Sequence, residues 1–181
     1  MTRILAIVDE ALARRRLSGG WRRLFRRRAS RGLELVYLPC YCAVLASGTE
    51  RTIHVLVDGH EGHVSFADLA RTACESCEAT DEHFMPTLSA AAAIERIDRE
   101  LLTLRLGRWG KAARVPPCRE CELAIVHYPY WVYYFRRRRD TLDFSMLDAL
   151  TGRPAGPKAK LAFLAALAAK KNRERVSIHN V

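Results

Sequence analysis

The chain of 181 residues is 49% hydrophobic and 28% charged, enough apolar content to bury a core and too much to stay unfolded. No apolar run approaches the ~18 residues of a membrane helix and no secretory leader opens the chain, so the sequence excludes an integral membrane protein and predicts a cytoplasmic one. The net charge of +10 is uneven: residues 1–32 hold ten arginines against Asp9 and Glu10, and the rest of the chain carries only +2. This divides the sequence into a basic N-terminal arm (1–32), a domain (33–171) and a tail (172–181).

In the arm, Ile4, Ile7, Val8, Ala11 and Leu12 recur at helical spacing and predict a helix over 3–16 that ends in Arg14-Arg15-Arg16. Ser18-Gly19-Gly20 breaks it. A second basic segment follows, with Trp21, Leu24 and Phe25 set among Arg22, Arg23, Arg26, Arg27, Arg28 and Arg31. The domain then opens on an apolar strand, Leu33 to Leu45, a turn at Ser47-Gly48-Thr49, a strand from Thr52 to Val57, and a closing turn at Asp58 to Gly62. Past Met85-Pro86-Thr87, the stripe Ile94, Ile97, Leu101 and Leu104 predicts a helix over 87–106, with Glu95 and Arg99 paired one turn apart and Gly107 as its stop. The strand–turn–strand plan then returns over Leu123 to Phe135, Arg136 to Asp140 and Thr141 to Leu147, closed by Asp148 to Gly152. A last helix is predicted over 158–171, started by Gly156-Pro157 and carrying Leu161, Leu164 and Leu167.

Residues 33–63 laid on 123–153 without gaps match Leu33 to Leu123, Val36 to Val126, Pro39 to Pro129, Asp58 to Asp148 and Gly62 to Gly152. Pro, Asp and Gly fall where strands start and turns close. The expected fold is therefore α+β: two repeated antiparallel β-hairpins in one sheet, covered by helices, with a basic helical arm. One feature resists the match. Leu142, Phe144 and Met146 alternate with polar residues, whereas Ile53, Val55 and Val57 lie in the opposite phase, which requires a bulge, a register difference or burial on both faces. Each unit, an apolar strand followed by a second strand ending in Asp-x-x-x-Gly, resembles the β-hairpin of PepSY-type domains. That resemblance implies a small α+β module and a regulatory role.

The six cysteines form three pairs. Cys74/Cys77 and Cys118/Cys121 are both C-x-x-C, a spacing that lets two thiolates reach one tetrahedral zinc, and the helix between them could return one pair to the other. A structural zinc held by these four, unpaired thiols, and disulfides are the three states open to them. Cys40 and Cys42, two apart in a strand, share a face as small buried residues. His60-Glu61-Gly62-His63 is one residue short of the zincin spacing and carries a glycine, so it reads as a turn. The aromatic run Tyr128 to Phe135, next to Arg136–Arg139, could stack bases, but aromatics at alternate positions also serve a sheet core. No phosphate-binding loop, dinucleotide fingerprint or nucleophile elbow is present.

These readings converge on a non-enzymatic, zinc-stabilised binding or assembly module. Arg14, Arg15, Arg16, Arg22, Arg23, Arg26, Arg27, Arg28 and Arg31 would contact a polyanion, nucleic acid or an anionic membrane surface, because the guanidinium fork suits phosphate. A larger protein assembly is the other partner class. A solvated arm and an organelle transit segment are the remaining readings of residues 1–31.

Overall fold

A computed structural model describes residues 2–18, 30–46, 52–69, 72–76, 84–106, 122–136 and 141–179. In chain order these form β1 (Thr2–Ile4), α1 (Glu10–Ser18), β2 (Ser30–Ala46), β3 (Thr52–Asp58), β4 (Val64–Ala67), β5 (Cys74–Ser76), α2 (Ala90–Leu106), β6 (Leu123–Arg136), β7 (Leu142–Asp148) and α3 (Pro157–His179). The fold is α+β, with a seven-stranded sheet in the order β4-β3-β2-β6-β1-β5 and β7 added to β6. β1 pairs parallel with β6, and every other pairing is antiparallel.

The long β2 and β6 form the spine, with Leu38 opposite Tyr128. β3 joins β2 with Asp58 opposite Cys40, and β7 joins β6 with Asp148 opposite Tyr130, so both hairpins keep one register at an offset of ninety residues. Alternation then assigns the faces. On one face Tyr41, Leu45, Val55 and Val57 meet Ala93, Ile97 and Leu101 of α2, while Trp131 and Leu147 meet Val8 and Ala13 beside and within α1. On the other face Val36, Leu38, Val132 and Met146 meet Ala162, Phe163 and Ala166 of α3. Burial on both faces therefore resolves the phase conflict: Val55, Leu56 and Val57 are all buried, as are Met146 and Leu147.

The turns after β3 and β7 are built alike. The amides of His60 and Glu61 donate to Asp58 Oδ1 (3.0 and 2.8 Å), and those of Leu150 and Thr151 donate to Asp148 Oδ1 (2.8 and 3.0 Å). Gly62 and Gly152 then take φ of 71° and 68°, a left-handed conformation in which a Cβ would be strained. The Gly59 amide donates to Pro39 O at 2.8 Å and the Ala149 amide to Pro129 O at 3.2 Å. The carbonyls at these two positions each receive two amides from a segment that leads into a helix: Thr87 and Leu88 at Gly59, Ile7 and Val8 at Ala149.

Several expectations are corrected. Residues 2–18 do not stand off as an arm: β1 lies in the sheet and α1 packs against β6 and β7. The helix predicted over 3–16 begins only at Glu10, because Asp9 caps it by accepting the Leu12 amide at 2.7 Å. Likewise α2 starts at Ala90 rather than 87, behind Ser89, whose hydroxyl accepts the Ala92 amide at 3.2 Å. α3 continues to His179, so most of the predicted tail is helical. The short strands β1, β4 and β5 carry no periodic signal. Residues 19–29, which hold most of the second basic segment, lie outside the described residues.

Candidate functional site

Seven residue steps lead from Ala67, on one edge of the sheet, to Cys74, on the other. At ~3.4 Å per residue they reach about 24 Å, no more than the five inter-strand gaps of ~4.8 Å that a flat sheet would interpose. The Thr72 amide also donates back to Leu69 O at 3.0 Å, which shortens that reach. The sheet must therefore curl, and the α3 face becomes concave beside the strap that joins β4 to β5.

The resulting cleft of about 560 Å³ is lined by Leu38, Cys40, Leu56, Tyr128 and Tyr130 from the sheet, Val64 to Leu69 from the strap side, Lys158 and Ala162 from α3, and the two turn aspartates. Each aspartate is already engaged. Asp58 Oδ2 accepts the His63 amide at 2.6 Å, and Asp148 Oδ2 accepts the Tyr128 hydroxyl at 3.0 Å. Burial pushes the Cys40 thiol up, and the Asp58 charge adds to it. Burial likewise raises Tyr128 and Tyr130, with Asp148 contributing to Tyr128 and Cys40 to Tyr130. A protonated thiol and two neutral phenols offer weakly polar donors but no thiolate nucleophile at neutral pH. The arrangement suits binding better than chemistry, and no sequence pattern signals it, because its parts converge from both hairpins.

Two arginine-rich sequences are joined to the sheet through described residues of β2 and β6. Ser30 at the start of β2 pairs opposite Phe135 near the end of β6. The sequence carrying Arg22, Arg23, Arg26, Arg27 and Arg28 therefore joins the sheet beside the strand end at Arg136, from which Arg137–Arg139 continue. Leu17 of α1 and Leu33 and Leu35 of β2 pack against the same cluster around Trp131, and Arg14 and Arg15 are exposed. Arg14 pairs with Glu10 at 2.7 Å, and Arg16 donates to the Gly152 carbonyl, so two of the three α1 arginines also serve the fold. Arg31 lies within β2; Arg22, Arg23 and Arg26–Arg28 lie outside the described residues.

Of the zinc candidates, Cys74 is exposed on β5, opposite Ile4 of β1. Cys77, Cys118 and Cys121 lie outside the described residues, among which no three His, Cys, Asp or Glu side chains gather as metal ligands. Cys40 and Cys42 are buried on one face. Tyr128, Trp131, Tyr133 and Phe135 are buried too, which commits most of the aromatic run to the core rather than to base stacking. His60 to His63 form the turn described above, with His60 Nδ1 3.2 Å from Thr87 Oγ1. No described helix is long and apolar enough to cross a membrane. No protein family, curated protein or solved structure matches the chain.

Proposed function

We propose that this chain is a non-enzymatic binding and assembly module, made of two copies of one helix–hairpin unit, that docks a polyanionic partner through its arginine-rich sequences. The observation that carries the reading is the pairing of Ser30 with Phe135, which tethers two arginine-rich sequences to adjacent strand ends. Together, 22–31 and 136–140 hold ten arginines against Asp140 alone. Such a concentration gains most from phosphates, whose neutralisation releases counterions. Duplication is supported by the common register of the hairpins and by the matched turn and helix hydrogen bonds. At the level of that unit we keep the likeness to PepSY-type modules, whose hairpins close on a similar aspartate and glycine.

Truncation at Gly32 would remove β1 and α1, so the test uses the full chain with Arg22, Arg23, Arg26, Arg27 and Arg28 changed to Gln. Binding to duplex and single-stranded nucleic acid is measured across a salt series. The substituted chain should bind more weakly, and its log–log salt dependence should flatten by about 0.9 for each duplex phosphate that is no longer neutralised. Equal affinity and slope in both chains would overturn the reading. A structural zinc on Cys74, Cys77, Cys118 and Cys121 is part of the same proposal and rests on their spacing. Elemental analysis of purified protein should find one zinc per chain, absent when Cys118 and Cys121 are changed to Ser.

A further inference from the structure

α3 is apolar on two sides. Ala162, Phe163 and Ala166 are buried against the sheet, yet Leu161, Leu164 and Leu167 remain 52%, 48% and 39% exposed. At 100° per residue Leu161, Leu164 and Ala168 fall within one 60° sector, with Leu167 another 60° beyond Leu164. The same stripe continues into Lys171 and Arg175, and Lys158 and Lys160 precede it. Lys160, Lys171 and Arg175 share the sector of the leucines, with Glu174 at its border, whereas Lys170 lies over the Phe84 ring on the sheet side. Among the described residues no core cluster includes this outward leucine ridge, and the opposite side of α3 fills the core.

We propose that this ridge seats the protein on an anionic lipid surface, leucines at the acyl boundary and lysines and arginines among the phosphates. The charge selects among occupants: a second copy would set these basic residues against their twins, whereas anionic headgroups meet both ends of the ridge at once. The shape agrees, because a single convex helix suits a yielding planar surface, and long basic side chains can extend from it to headgroup level. None of these residues belongs to the arginine-rich sequences 22–31 and 136–140, and the proposal stands or falls without them.

The full chain is spun with vesicles of phosphatidylcholine and with vesicles of an equal mixture of phosphatidylcholine and phosphatidylserine. It should bind the mixed vesicles and not the neutral ones. Leu161→Gln with Leu164→Gln, both at half-exposed positions, should weaken binding by about tenfold, and Lys171→Glu with Arg175→Glu by about tenfold or more. The leucine pair should leave affinity for duplex nucleic acid unchanged, which separates this surface from the polyanion reading. Leu164→Trp in the otherwise unaltered chain should add fluorescence that bromine-labelled acyl chains quench. Absence of vesicle binding, binding indifferent to the leucine pair, or an added tryptophan that stays unquenched on bound vesicles would overturn the proposal.

Discussion

Tyr41 and Trp131, ninety residues apart, each donate a side-chain hydrogen bond of 2.7 Å to the carbonyl two residues before a helix: Tyr41 to Leu88 ahead of α2, Trp131 to Val8 ahead of α1. The helices are crossed. α1 precedes the first hairpin yet is held by the second, and α2 precedes the second yet is held by the first. Tyr41→Phe should cost about 1 kcal/mol and lower the melting temperature by about 2–4 °C. Trp131→Phe loses the same kind of bond plus packing, and should cost more. Thermal denaturation of the two variants checks the order.

A size exchange marks the same junctions. A Cβ at Gly59 would lie 2.8 Å from Pro86 Cβ and 2.9 Å from Pro39 O, closer than atoms tolerate. At the matching place in the other half stands Ala149, and Ala6, the counterpart of Pro86, packs against its cluster. Gly59→Ala should therefore cost about 1–3 kcal/mol. Adding Pro86→Gly, which removes the Cβ that the new methyl would meet, should make the two changes cost less together than the sum of each alone, a non-additivity that denaturant titration of the single and double variants would measure.

His60 sets an acid dependence. Burial lowers its pKa below the usual 6.5, with Arg173 reinforcing the shift and Asp58 and Glu61 opposing it. Above pH 6.5 the group is neutral in both states and contributes nothing. As pH falls through 6.5 the unfolded chain takes up the proton first, so folding loses stability. His60→Gln should flatten the stability profile below pH 6.5, as read by denaturant midpoints across pH.

The thiols should separate by burial. In protein stripped of zinc, maleimide labelling followed by peptide mapping should mark Cys74 early, and Cys40 and Cys42 only on unfolding. Because the folded Cys40 pKa is raised, only the unfolded chain ionises that thiol near pH 9, and stability should decline as pH rises past that value.

The hairpins are legible in the sequence because Pro39, Pro129, Asp58, Asp148, Gly62 and Gly152 sit at positions whose backbone demands are local. What escapes it is set by distant partners. Three residues of β1 become a strand only because β6 and β5 flank them, and Ile7 faces solvent despite fitting a helical stripe. The cleft is invisible for the same reason, since Cys40 and Tyr128 are brought together only by the pairing of β2 with β6, which their distance in the chain conceals. The leucines of α3 are visible as a stripe that spacing alone would turn inward, yet alanines and Phe163 fill the core instead.

The crossed helices also order events during synthesis. A ribosome that has completed the first 120 residues has released β2, seventeen residues long, with β3 as its only long neighbour and without β6 along its other side. α1 has emerged long before Trp131 exists to hold it. The first half of this chain must wait for the last third, with a long strand edge open to other pairings in the meantime.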